Sequence, residues 1–129
     1  MKNIPAQIII NPIVGPEVIT GSTRMKAGTA TKLVLNTITT AAMVKLGKVY
    51  GNLMVDLMAT NEKLRDRSIR IVMELTNLSQ PAAKKLLTRA KGKLKAAIVM
   101  HFRNVNLITA MKILEENNQS LRPAIMEKT

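Results

Sequence analysis

The spacing of apolar positions changes from segment to segment along this chain, and each change marks an element. Residues 6–10, Ala-Gln-Ile-Ile-Ile, form a near-continuous apolar run rich in β-branched side chains, which predicts a short strand. Asn11-Pro12 and Gly15-Pro16 follow as turns. No second run of comparable strand quality lies downstream. A lone strand cannot satisfy its own amides and carbonyls, so residues 6–10 are expected to join a sheet that this chain does not contain.

A helical period begins next and predicts a helix over residues 22–46, with Ser22 or Thr23 as its cap and Gly47 as its stop. From Leu33 onward its apolar residues cover almost the whole circumference, the pattern of a helix buried on more than one side. At 1.5 Å per residue it would run about 37 Å, long for a chain of this size, and its apolar faces predict self-association. A second helix is expected over residues 52–76. Met54, Leu57, Met58, Leu64, Ile71, Val72 and Leu75 form one stripe, and Asp66 and Arg70 stand as a favourable i,i+4 pair.

Short helices fill the remainder. Ser79 and Pro81 open one that Gly92 ends, with Ala83, Leu86, Leu87 and Ala90 at helical spacing. Residues 93–103 form another, with Leu94, Ala97, Ile98 and Phe102 inward, and Asn106 caps a third that runs to Asn117 and carries Ala110, Met111 and Leu114. A last turn after Ser120 holds Leu121, Ala124 and Ile125. The fold expected from the pattern is mainly α.

Composition narrows the chemistry. With 47% apolar residues among 129, the chain carries enough material for a packed core. It has no cysteine and a single histidine, His101, which removes thiolate chemistry and leaves almost nothing for a zinc site or a Ser-His-Asp triad. No apolar run approaches the roughly 20 residues of a membrane span and no signal-peptide pattern opens the chain, so a cytoplasmic protein is expected.

The net charge of +12 fits nucleic acid, an acidic membrane surface or a small anion. Tyr50 and Phe102 are the only aromatics, too few to stack the bases of a single strand. The cations are spread along the chain, with one dense cluster at Arg89, Lys91, Lys93 and Lys95. Nucleic acid is therefore not the expected partner, and solvated helix faces account for most of the charge.

The unusual segment is residues 15–29, where a glycine-bounded loop with two hydroxyls enters a helix whose first turn carries Arg24 and Lys26. Free amides at a helix start favour an anion, and cations placed there oppose the macrodipole unless an anion joins them. The spacing matches neither a P-loop nor the dinucleotide fingerprint. Of eight carboxylates only Glu17 lies in this loop, so a facing acid/base pair is not in view. His101 falls within an apolar helix, and the nine methionines read as core filler.

Gly15-Pro16-Glu17-Val18-Ile19-Thr20-Gly21-Ser22-Thr23-Arg24-Met25-Lys26-Ala27-Gly28-Thr29 and its continuation to Asn36 resemble the signature shared by N-acetylmuramic acid 6-phosphate etherases and glucokinase regulatory proteins. Residues 47–56, then Ala59-Thr60-Asn61-Glu62-Lys63-Leu64, resemble the bacterial etherase branch, and the similarity continues through Ala97-Ile98-Val99-Met100 to the C-terminus. The resemblance implies a sugar isomerase (SIS) domain, an α/β sandwich that binds phosphosugars, followed by a helical module similar to ubiquitin-associated domains. It implies a lyase of peptidoglycan amino-sugar recycling: lactate is eliminated from N-acetylmuramic acid 6-phosphate by a glutamate acid/base pair and water is added, giving N-acetylglucosamine 6-phosphate and D-lactate. It also implies a homodimer that needs no metal or cofactor.

Only the C-terminal part of such a protein is matched. The resemblance therefore implies that the N-terminal SIS portion, with its phosphate-binding serines and both catalytic glutamates, has no counterpart here, and that the chain alone is inactive. Residues 1–52 would end the SIS domain, 53–76 would connect, and 77–129 would form the ubiquitin-associated-like module. Glu17, Ser22, Thr23, Arg24, Lys26 and Lys32 are the positions placed near the sugar phosphate, and no catalytic residue is assigned; Lys48, Tyr50 and Asn52 are read as structural. A phosphosugar-binding regulatory domain and a basic helical interaction module remain as alternatives.

Overall fold

A computed structural model describes residues 5–126 of the chain. Contacts divide it after Ala41 into two compact units.

The first unit holds no strand among its described residues. Ile8, Ile9 and Ile10, in the segment expected to be extended and paired, are 56–81% exposed and enter no sheet. β-Structure is a pairing of backbones, and no described residue supplies the other half. The helix of this region, α1, spans Lys26–Lys45 rather than 22–46. Ser22 and Thr23 do not cap it. Ser22 closes a turn through its amide onto the Ile19 carbonyl at 3.0 Å, and the amides of Lys26 and Ala27 are taken by the Glu17 carboxylate instead. No residue of α1 is buried. The all-round apolar surface that predicts burial on several sides is therefore left uncovered in this chain, with Leu33 62%, Leu35 57% and Ile38 50% exposed.

The second unit begins with the end of α1. Lys48 donates to the Met43 carbonyl and Gly47 to that of Val44, both at 3.1 Å, which closes the helix in a left-handed C-terminal turn. Gly47 sits at φ +66°, and a β-carbon there would stand 2.9 Å from the Gln119 carbonyl oxygen. Both its backbone angle and the approach of another backbone exclude a side chain.

A small antiparallel hairpin follows, β1 (Val49–Tyr50) and β2 (Leu53–Met54), with Val49 opposite Met54 and Tyr50 opposite Leu53. Its two-residue loop has positive φ at Gly51 and not at Asn52, the pattern of a type II′ turn. The hairpin consumes the start of the expected helix over 52–76. The observed helix, α2, spans Glu62–Thr76, with Asn61 accepting from the Leu64 amide at its start and Asn77 in the left-handed region at its end. Asp66 and Arg70 pair as the i,i+4 spacing predicts.

Four helices complete the unit: α3 (Gln80–Arg89), α4 (Leu94–Phe102), α5 (Leu107–Glu116) and α6 (Leu121–Ile125). Ser79 stands at the start of α3 but makes no side-chain cap bond, whereas Asn106 accepts from the Thr109 amide at the start of α5. Helix α4 is the centre. Helices α2, α3, α5 and α6 all pack on it, so Leu94 through Met100 are buried without interruption. A helix apolar all round fits only such a place. Phe102, expected inward, lies outward at 47% exposed with its ring edge-on to His101, and Met111 of α5 is 41% exposed. No helix among the described residues is long and apolar enough to cross a membrane.

Candidate functional site

The loop of the first unit places Glu17, Ser22, Thr23 and Arg24 before α1 and joins Glu17 to Lys26 at its start, while Lys32 lies nearly two turns along the helix. Glu17 occupies the place where an anion was expected. Its two oxygens accept from the Lys26 amide at 3.0 Å and the Ala27 amide at 2.9 Å, satisfying two of the donors that a helix start leaves open. Hydrogen bonds from Ala27 first and Lys26 second, with the Lys26 charge adding a lesser effect, hold the Glu17 carboxyl below the ordinary carboxylate range. A carboxylate so held stays ionised and is a poor proton donor near neutral pH.

The Lys26 ammonium turns back to the Pro16 carbonyl at 2.8 Å, which closes the loop from the other side. Glu17 and Lys26 are thus mutually committed within the loop. Ser22 is half-buried, and Thr23, Arg24 and Lys32 are exposed. No side-chain hydrogen bond or ion pair ties Ser22, Thr23, Arg24 or Lys32 to another described residue. Gly28 keeps α1 close to the loop, because a β-carbon there would meet the Thr23 carbonyl oxygen at 3.3 Å. The arrangement offers two hydroxyls and the Arg24 cation beside a helix start two of whose amides are already taken by Glu17, with the Lys32 cation nearly two turns along the helix. Hydroxyls and cations are the side-chain types that can hydrogen-bond and neutralise an anion. The arrangement holds no acid facing a base, and among the described residues no group of carboxylates and histidine could hold a metal ion.

The second unit contains a polar junction that sequence reasoning missed. Lys95, on α4, has a side chain only 8% exposed, and its ammonium lies 3.2 Å from Asp56 Oδ1 and donates to the Gln119 carbonyl at 3.0 Å. Asp56 also faces the Lys48 ammonium at 3.5 Å. One buried cation therefore ties the strand exit after β2 and the turn before α6 to the central helix. The signal was present: Lys95 interrupts an apolar stretch from Leu94 to Met100, where a lysine must find a carboxylate or a carbonyl. Lys48, Tyr50 and Asn52, read as structural, all lie in or beside the hairpin. Lys48 meets Asp56, Asn52 sits in the hairpin loop, and the Arg122 guanidinium lies 5.4 Å from the Tyr50 ring centroid.

Comparison with known proteins adds two findings. The family model described as the C-terminal lid domain of glucokinase regulatory protein matches residues 51–119. Proteins named N-acetylmuramic acid 6-phosphate etherase match almost the whole chain. That of Nostoc punctiforme is 51% identical over 124 residues, 96% of this chain and 40% of the relative. That of Salinibacter ruber is 54% identical over 123 residues, with 95% and 40% covered, and that of Rhodopirellula baltica is 54% identical over 109 residues, with 84% and 36% covered. The chain spans about two fifths of the length of these relatives.

Proposed function

The chain belongs to the family of the C-terminal lid domain of glucokinase regulatory protein, and from that membership we propose that it is the C-terminal part of an N-acetylmuramic acid 6-phosphate etherase. The observation that carries the reading is the match to proteins of that name at about half identity over some 95% of this chain. The whole enzyme is a carbon–oxygen lyase that releases D-lactate from N-acetylmuramic acid 6-phosphate and leaves N-acetylglucosamine 6-phosphate. It works in the cytoplasm, in peptidoglycan recycling, as a homodimer. Residues 1–52 complete its SIS domain, 53–76 lead out of it, and 77–129 carry the ubiquitin-associated-like module.

In this reading the chain binds and orients rather than performs the bond cleavage. Arg24 and Lys32, with the hydroxyls of Ser22 and Thr23, supply charge and hydrogen bonds to the 6-phosphate. Glu17 and Lys26 hold the loop in shape for them. The acid/base pair comes from the portion that the relatives have beyond these residues, because Glu17 is held ionised by two amides and faces no second acid. The bare apolar face of α1 supports a partner on that side, either the rest of the SIS domain or the second subunit.

The test compares this chain alone with the same chain joined to the N-terminal portion of a relative such as the Salinibacter ruber protein. The joined protein is expected to release D-lactate from N-acetylmuramic acid 6-phosphate and the chain alone to release none. Release at an enzymatic rate by the chain alone, or none by the joined protein, overturns the reading. The match to a regulatory protein's lid supports a second reading, a phosphosugar-responsive regulatory domain. Calorimetric preference of the joined protein for fructose 6-phosphate over the etherase substrate would favour it.

A further inference from the structure

The second unit carries a groove that the etherase reading does not use. A cleft of about 500 Å³ opens between the segment after β2 and the start of α4, and a second of about 380 Å³ opens between α2 and α3. They share Ala59, Lys91 and Gly92 as lining, so the two clefts adjoin. The floor of the first is apolar, made by buried Val55, Leu94 and Leu114, and two exposed methionines, Met58 and Met111, stand at its edge. Methionine is unbranched and polarisable and adapts to varied apolar side chains.

The charge around this floor has one sign. Lys91 and Lys93 line the first cleft, and Arg65, Lys84 and again Lys91 line the second. The one carboxylate lining either is Asp56, which is already engaged by Lys95 and Lys48. Among the described residues none of Arg65, Lys84 and Lys91 meets a carboxylate, and the Lys93 ammonium rests on the Met111 sulfur at 3.2 Å. The cations come from α2, α3 and the turn between α3 and α4, so a compact anion reaches only some of them, whereas an extended chain reaches both clefts.

We propose that this groove docks an acidic peptide segment of a partner protein, with aliphatic side chains seated between Met58 and Met111 and carboxylates paired with Lys91, Lys93, Lys84 and Arg65. Charge complementarity selects the partner and the apolar floor anchors it. None of the residues of this groove lies in the loop before α1.

The test is fluorescence anisotropy on the full chain, with a short labelled peptide rich in Asp and Glu and carrying two leucines. Reversing the groove charge in the double variant Lys91→Glu, Lys93→Glu is expected to weaken binding about tenfold or more. The double variant Lys63→Glu, Lys85→Glu changes net charge equally outside the groove and is expected to cost less than about threefold. Replacing both leucines of the peptide by serine is expected to lose about tenfold. No binding, equal losses in the two double variants, or undiminished binding of the serine peptide overturns the proposal, the latter two by showing attraction to a basic protein in general. The serine peptide on the unaltered chain keeps the test decisive even where a variant folds poorly.

Discussion

Residues 5–41 and 42–126 are built from similar material and reach opposite outcomes. Each contains a helix with apolar residues around most of its circumference, α1 from Leu33 onward and α4 from Leu94 to Met100. In the second unit α4 is enclosed by four other helices and buries Leu94 through Met100. In the first, α1 is longer and buries nothing. Hydrophobic pattern states what a helix needs, and only the neighbours present decide whether the need is met.

The largest expected effect tests that contrast directly. Ile98→Ala removes a fully buried side chain from the middle of α4 and should cost about 2–5 kcal/mol in urea unfolding followed by circular dichroism. Leu33→Ala, on exposed α1, should change the same transition by less than about 0.5 kcal/mol. Equal losses would erase the distinction between the two units.

Next comes the buried junction. Asp56→Ala strands the Lys95 ammonium with only the Gln119 carbonyl, and because Asp56 is itself partly exposed the cost should be about 1–3 kcal/mol. Lys95→Met, which removes the buried charge itself, should cost less. The reverse order would show that the ion pair, rather than the desolvated amine, dominates. Gly47→Ala should cost about 1–2 kcal/mol from its left-handed backbone alone, with more from the approach of Gln119.

The smallest global effect is expected at Glu17. Its carboxyl is harder to protonate in the folded loop than in an unfolded chain, so its cap on α1 is complete above the ordinary glutamate range. The cap is lost as pH falls through the lowered value. The amide resonances of Lys26 and Ala27 should shift together in that acid window, and Glu17→Gln should abolish the titration. The unfolding transition of the second unit should be unmoved by the variant.

These expectations show which parts of the molecule the residues announce. Helices α3, α5 and α6 and the centre of α4 were legible because Ser79, Asn106, Gly92 and Ser120 mark their ends and the apolar spacing between is regular. The start of α2 was not. Met54, Leu57 and Met58 fit a helical stripe, and over so short a stretch that period cannot be told from the hairpin that Gly51-Asn52 introduces. Residues 6–10 carry strand character that finds no partner strand among the described residues. At the loop, the anion-seeking helix start was legible, and its occupant was not. Glu17 reaches the α1 amides across nine and ten positions, a contact that depends on the folded turn at Ser22. Lys95 was not legible as a buried cation because its partners, Asp56 and the Gln119 carbonyl, are brought to it only by the fold.

The three isoleucines at residues 8–10 have a practical consequence for handling the chain. Exposed, β-branched and unpaired, they offer a template for cross-β stacking between molecules. Pro5 and Pro12 bracket the stretch, and each denies a growing ribbon one amide donor, which confines such stacking to a few rungs. Preparations at high concentration should therefore cloud through this segment first, and a lysine in place of Ile9 should keep them clear.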